Sequence, residues 1–78
     1  MYTFDYLVFI GRFQPFHIGH LRVIEQALSL SKHVIVLIGS SRQPRNLRNP
    51  FTVAERQHMM RASLNPADQP RVILQPLE

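Results

Sequence analysis

Two short runs of consecutive apolar residues, each ended by a glycine, constrain this fold more than any other feature of the sequence. The first run covers residues 6–10, before Gly11, and the second covers residues 34–38, before Gly39. Runs of this length without polar alternation are typical of parallel strands that are buried on both faces. Between them, over residues 18–31, the apolar side chains recur at helical spacing. The chain is therefore expected to begin with a strand, a helix and a second strand.

A second alternation follows. A polar loop occupies residues 40–50, and Thr52 with Glu55 has the spacing of a capping box, which predicts the start of a helix. The Asn-Pro pair at residues 65–66 ends that helix, and residues 71–75 (Arg-Val-Ile-Leu-Gln) are predicted to form a third strand. Strands that alternate with helices over short links predict a parallel sheet with right-handed crossovers. We therefore expect a Rossmann-like α/β fold of βαβαβ order, which is one mononucleotide-binding half of a doubly wound sheet.

The size and composition of the chain narrow its class. It has 78 residues and no cysteine, which excludes a disulfide scaffold and a thiolate zinc site. No apolar run is long enough to span a membrane, and the N-terminus has no secretory signal, so we expect a cytoplasmic protein. A three-stranded sheet would leave an open edge beside the first strand. We expect residues 1–78 to be the N-terminal portion of a single, longer domain.

The positive charge is concentrated in one segment. The net charge is +4, from nine basic and five acidic residues, and residues 42–61 carry all of it. This segment holds five arginines: Arg42, Arg45, Arg48, Arg56 and Arg61. Arginine makes forked contacts with phosphate, so the segment suggests a nucleotide or a nucleic acid as ligand. A solvated basic surface is the alternative.

The loop after the first strand has the features of an anion site. Ligands of open parallel sheets bind beyond the carboxyl ends of the strands, where this loop lies. His17 and His20 are three residues apart at the start of the predicted helix, so both rings lie on one side of its first turn. The helix N-terminus offers N–H donors and a partial positive charge, and Gly19 lets a phosphate approach the backbone. The sequence has neither a G-x-G-x-x-G fingerprint nor a P-loop, which disfavours dinucleotide redox chemistry and P-loop phosphotransfer.

Three interpretations of His17 and His20 compete. Zinc ligation would need further ligands, and the chain has no cysteine and few carboxylates. They could also be ordinary polar residues at a helix start. We favour a phosphate-binding pair, because two ring N–H groups can hold phosphate oxygens while charge builds on them. His33 and His58 have no such surroundings.

The segment Gly-Arg-Phe-Gln-Pro-Phe-His-Ile-Gly-His at residues 11–20 contains the His-x-Gly-His signature and resembles the nucleotidyltransferase superfamily. Further matching residues make the chain similar to the nicotinamide mononucleotide (NMN) adenylyltransferases of archaeal type, which in bacteria are also found fused to a Nudix hydrolase domain. These are residues 38–40 (Ile-Gly-Ser), 48–52 (Arg-Asn-Pro-Phe-Thr), 55–56 (Glu-Arg) and 59–60 (Met-Met). Sister families, such as phosphopantetheine adenylyltransferase and the cytidylyltransferases, usually have Gly-Thr-Phe-Asp at residues 11–14. The Gly-Arg-Phe-Gln sequence at residues 11–14 of this chain therefore favours the NMN adenylyltransferases over these sister families.

The resemblance implies roles for individual residues. His17 and His20 match the signature histidines, which contact the ATP phosphates and stabilise the transition state, and Arg12 and Arg48 match arginines that reach the same phosphates. The other matched positions are Gly11, Phe13, Gln14 and Gly19 on the ATP side, and Gly39 and Ser40 on the NMN side. We expect Glu55 and Arg56 to brace the second helix.

The resemblance also implies a reaction. The 5′-phosphate of NMN attacks the α-phosphorus of ATP, giving NAD and pyrophosphate. The nucleophile is already anionic, so that no enzyme base is needed, and Mg²⁺ is bound through the ATP phosphates rather than by protein ligands. The family's second signature, Ile-Ser-x-Thr-x-x-Arg, is absent from these residues. We therefore expect the 78 residues alone to bind nucleotide weakly and to turn over little or none.

Other functions stay open at this point. The protein could be a nucleotidyltransferase with nicotinate mononucleotide, phosphopantetheine or a flavin as acceptor, or a non-catalytic nucleotide sensor. It could also bind nucleic acid through the arginine-rich loop, but Phe51 is the only aromatic residue there, and no stacking platform is evident. We expect ATP and NMN as partners, and neither nucleic acid nor a membrane. A homo-oligomer and a fused C-terminal Nudix domain are both compatible with the resemblance.

Overall fold

The computed structural model describes residues 2–39 and 51–77, which form strands and helices in alternating order. In chain order, these elements are strand β1 (Phe4–Gly11), helix α1 (Ile18–Leu30), strand β2 (Ser31–Ile38), helix α2 (Val53–Ser63) and strand β3 (Val72–Pro76). One turn of 3-10 helix, Gln69–Arg71, precedes β3. The predicted βαβαβ order is confirmed.

The first two strands are longer than their apolar runs because their pairing continues beyond them. β1 and β2 are parallel, and their register begins with Phe4 opposite Ser31. Ser31 also caps α1, since its backbone N–H and its hydroxyl both donate to the carbonyl of Ala27. Helix α1 therefore ends at Leu30 and β2 begins at the next residue, with no loop between them.

The three strands form one parallel sheet in the order β1-β2-β3. One hydrophobic core joins alternate residues of β2, which are Val34, Val36 and Ile38, to Ile24 of α1 and Met60 of α2. Both helices therefore pack on the same face of the sheet. This arrangement follows from two successive right-handed crossovers in the same direction.

The opposite face of the sheet is exposed, and here the sequence-based expectation for the first strand is wrong. In β1, Tyr6, Val8 and Ile10 are 55%, 57% and 60% exposed, although the apolar run predicted burial on both faces. The reason is that neither α1 nor α2 lies on this side. Among the described residues β1 pairs with β2 alone, so that the expected open edge is present. Within the same residues, no helix is long and apolar enough to cross a membrane.

Candidate functional site

Helix α1 starts with a capping box made by two histidines. His17 is the N-cap residue, and its Nδ1 accepts the N–H of Gly19 at 3.1 Å. In return, the N–H of His17 donates to Nδ1 of His20 at 3.1 Å. These bonds satisfy two amides that a helix start otherwise leaves unpaired. Because each Nδ1 is an acceptor, the proton of each neutral ring is on Nε2, which leaves two Nε2–H donors for a ligand.

The two rings are held close together at this turn. Their centroids are 3.7 Å apart and their planes differ by 30°. Gly19 makes this possible, because a Cβ at that position would lie 2.9 Å from Cε1 of His17. The close approach that this glycine allows in the structure is therefore that of the His17 ring. The two rings, and with them their Nε2–H donors, are therefore held side by side.

His20 is packed against aromatic rings on its inner side. Its ring meets Phe13 edge-on at 4.9 Å and stacks on Phe16 at 5.6 Å, between centroids. Burial and, to a smaller extent, the neighbouring His17 lower the pKa of His20 below its ordinary value. The environment thus favours the neutral ring, which is the form that the capping box requires.

Stability should therefore depend on pH through His20. Its pKa is lower in the folded than in the unfolded chain, so the unfolded state takes up a proton first as the pH falls. The stabilisation is complete above the ordinary histidine pKa of 6.5 and is lost as the pH falls through the lowered folded value. Urea unfolding of the chain between about pH 5 and 8 should show this decline, and His20→Asn should flatten it. The control His58→Asn removes an exposed imidazole from α2 and should keep the decline; an unchanged slope in His20→Asn would contradict the assignment.

Phe13 occupies the core beneath the loop in an unusual backbone conformation. It is 2% exposed and has a φ of 55°, in the left-handed region that costs a non-glycine residue about 1–3 kcal/mol. Its ring lies under Gly11, where a Cβ would be 2.7 Å from Cζ of Phe13. Gly11 is thus required by the position of the ring. Phe13 supports the loop and His20 from below.

Gln14 connects this loop to the segment before α2. Its Nε2 donates to the carbonyl of Phe51 at 2.9 Å, and the N–H of Phe51 donates to its Oε1 at 2.8 Å. The carboxamide therefore pairs with one residue of the main chain in the way that two peptide groups pair. Both polar atoms of the Gln14 side chain are used in this contact.

A buried arginine, Arg56, joins the carboxyl ends of the first two strands. It is 1% exposed, and its Nη1 donates to the carbonyls of Arg12 at 2.8 Å and Gly39 at 2.6 Å. Burial and, secondarily, the positive charge of Arg12 lower the pKa of Arg56. The sequence assigned Arg56 only to bracing α2. A sign of its burial was present, because Arg56 lies on the apolar side of the helix, four residues before Met60.

The predicted site residues fall into two groups in space. Gly11, Arg12 and Gly39 meet at the carboxyl edge of the sheet, where the N–H of Gly39 donates to the carbonyl of Gly11 at 2.8 Å. The histidine pair stands at the start of α1, joined to this edge through Phe13. Two further predicted residues, Arg48 and Ser40, lie outside the described residues. In residues 2–39 and 51–77, no group of three or more side chains is arranged to hold a metal ion.

Comparison with known proteins gives a consistent set of relatives. The cytidylyltransferase-like family model matches residues 8–76. A nicotinamide/nicotinic acid mononucleotide adenylyltransferase of Acinetobacter baylyi is 54% identical over 72 residues, which are 92% of this chain and 38% of that protein. A nicotinamide-nucleotide adenylyltransferase of Saccharolobus solfataricus is 52% identical over 54 residues, 69% of this chain and 31% of that protein.

A solved structure shares the fold. It is a bifunctional NMN adenylyltransferase/ADP ribose pyrophosphatase from Francisella tularensis, complexed with AMP and a manganese ion. The TM-score is 0.89 and the sequence identity 48%, over 99% of this chain and 23% of that chain. The present chain therefore spans less than half the length of each of these three proteins.

Proposed function

The chain belongs to the cytidylyltransferase-like family, and from that premise we propose that the protein transfers the adenylyl group of ATP to NMN, giving NAD and pyrophosphate. The observation that carries the proposal is the pair of histidine rings at the start of α1, where Nδ1 of His17 and Nδ1 of His20 each accept a backbone N–H and leave Nε2 for a ligand. The names of the relatives, which are NMN adenylyltransferases, support the choice of acceptor.

The site residues suit a direct transfer. An oxygen of the NMN phosphate bonds to the α-phosphorus of ATP, while the bond from that phosphorus to the oxygen bridging to the β-phosphate breaks, and pyrophosphate leaves. Negative charge grows on the phosphate oxygens. Fixed N–H donors from His17 and His20, and the charge of Arg12, can stabilise it without reorganisation. No proton transfer is needed, because the attacking phosphate is already ionised.

We propose that Mg²⁺ accompanies the nucleotide. The described side chains assigned to the phosphates, which are His17, His20 and Arg12, offer hydrogen-bond donors rather than the oxygen ligands that Mg²⁺ prefers. These donors fit the phosphates, and the ion would be held by the phosphates themselves. The ion would supply screening of the phosphate charge. The manganese ion in the Francisella structure supports the use of a divalent metal.

We further propose that residues 1–78 are the N-terminal portion of a nucleotidyltransferase domain in a cytoplasmic protein. The exposed apolar side chains of β1, such as Val8 and Ile10, lie on a face with no helix over it in the described part of the chain. The 38% coverage of the Acinetobacter relative is in keeping with this arrangement. A fused Nudix domain stays a prediction, in line with the two activities named for the Francisella protein.

Incubation of the full-length gene product with ATP, NMN and Mg²⁺ tests the function. We expect NAD and pyrophosphate in equal amounts, and little or no NAD from the 78-residue chain. Nicotinate mononucleotide is the second acceptor to try, because the Acinetobacter relative is named for both nucleotides. Labelled ATP with phosphopantetheine and flavin mononucleotide completes the panel. Failure to adenylylate any acceptor would refute the proposed enzymatic activity. Robust activity of the 78 residues alone would refute the proposal that they are only the N-terminal portion of the domain.

A further inference from the structure

We propose that Arg56 is a positioning residue for the transfer, which sets the distance between the ATP side and the NMN side of the site. The inference rests on the proposed function. Arg56 is too deeply buried to touch either substrate, because its side chain is 1% exposed. It acts through the main chain of Arg12 and Gly39, which the family resemblance assigns to the ATP side and the NMN side, respectively.

One nitrogen joins the two sides, in addition to the bond that the N–H of Gly39 donates to the carbonyl of Gly11. Nη1 of Arg56 accepts no bond and donates two, to the carbonyl of Arg12 at 2.8 Å and to that of Gly39 at 2.6 Å. The Arg12 carbonyl belongs to the peptide that leads into Phe13, whose φ of 55° needs external support. The Gly39 carbonyl closes the end of β2. A shift of Arg56 would therefore move the carbonyls of Arg12 and Gly39 relative to each other.

Arginine is suited to this place in a way that lysine is not. Besides the two bonds of Nη1, Nε donates to the carbonyl of Thr52 at 3.2 Å, so that the side chain is anchored to the N-cap of its own helix. A lysine side chain is one atom shorter, so its nitrogen would lie near the position of Cζ, short of the two carbonyls that Nη1 reaches, and lysine has no second nitrogen in the place of Nε. Arg56→Lys keeps the positive charge and loses the two hydrogen bonds to the carbonyls of Arg12 and Gly39.

Charge adds a second reason for the site to bind an anion. Arg56 and Arg12 are close enough for the charge of Arg12 to disfavour the protonated form of Arg56. A bound polyphosphate would relieve this repulsion. Arg56 should thus support phosphate binding through its field even though it makes no contact with the ligand.

The chain contains a matched control at the opposite end of the sheet. Arg71 also donates to three carbonyls, from Nη2 to Leu28 at 2.6 Å and Ser31 at 2.8 Å, and from Nε to Lys32 at 3.0 Å. These carbonyls lie at the end of α1 and the start of β2, away from the carboxyl edge. Arg71 therefore donates to main-chain carbonyls as Arg56 does but away from the site, although it is less buried and also pairs with Asp68 at 3.3 Å.

The test compares Arg56→Lys with Arg71→Lys in the full-length gene product. Both should lower Tm, but only Arg56→Lys should lower kcat, by about 100-fold, because misplacement of reacting groups by about 1 Å has that cost. Its KM for ATP should change less than kcat. Amide hydrogen exchange at Gly39, which does not depend on any activity, should quicken in Arg56→Lys and not in Arg71→Lys. Arg56→Gln, which buries no charge, serves as a second variant if Arg56→Lys does not fold.

The outcomes separate this inference from the function on which it rests. If the unaltered protein makes no NAD, the proposed function fails. Amide hydrogen exchange at Gly39 still tests whether Arg56 holds the carbonyls of Arg12 and Gly39 together. If the unaltered protein is active, and a folded Arg56 variant has a kcat within about threefold of that of the unaltered protein, the positioning role is overturned. An equal loss of kcat in Arg71→Lys at a similar Tm would overturn it as well, because the effect would then be one of general stability.

Discussion

Replacing His20 by asparagine should lower kcat for NAD synthesis by about 10²–10³-fold, the usual cost of one donor to a developing oxyanion. Asparagine places its oxygen near the position of Nδ1, so it can still accept from the N–H of His17 and keep the capping box. What it removes is the Nε2–H donor. The measurement is a steady-state assay of the full-length gene product, with urea unfolding of the same samples.

His20→Leu is the matched variant, because leucine has neither the acceptor that Nδ1 of His20 offers to the N–H of His17 nor the Nε2–H donor. It should lose as much kcat as His20→Asn and, in addition, about 1 kcal/mol of stability for the missing cap. The two variants should therefore agree in kcat and differ in stability. A loss of kcat that follows the loss of stability would show that His20 acts only through the fold, and full activity in His20→Asn would end the catalytic assignment.

Replacing Phe13 by alanine should lower the free energy of unfolding by about 3–5 kcal/mol, the usual cost of emptying a buried aromatic site. The ring is 2% exposed, and it contacts Phe9 at 5.5 Å and Phe16 at 5.9 Å between centroids. Equilibrium urea unfolding of the full-length gene product measures the loss. Val23→Ala is the control, because Val23 is 46% exposed on α1 and should change the free energy by about 0.5 kcal/mol or less.

A substitution at Gly11 tests the same contact from the residue that the Phe13 ring packs against. Gly11→Ala places a Cβ 2.7 Å from Cζ of Phe13, which forces the ring or the strand to shift. It should be destabilising in the unaltered chain and nearly neutral in the Phe13→Ala background, where the space is empty. Additive losses in the double variant would show that the two residues do not meet as described.

The elements and the histidine pair were predictable because their signals are local. The capping box of Thr52 and Glu55 is confirmed, with Glu55 Oε1 accepting the N–H of Thr52 at 2.8 Å, since residues three apart at a helix start must meet. The exposed face of β1 was missed, because an apolar run indicates what a strand can bury and not which side the helices take. The contacts of Gln14 and Arg56 span 37 and 44 residues, respectively, and no local pattern contains them.

The direct junction of α1 with β2 has a consequence for how this chain can vary. The histidines begin the helix at residues 17–20, and Ser31 ends it as the first residue of a strand whose register with β1 is fixed. One inserted residue in between would turn the helix by about 100°, or else move β2 by one position and exchange its two faces. The stretch from His20 to Ser31 is thus a spacer of fixed length. It can accept many substitutions, but insertions and deletions there should be selected against as strongly as the loss of a histidine.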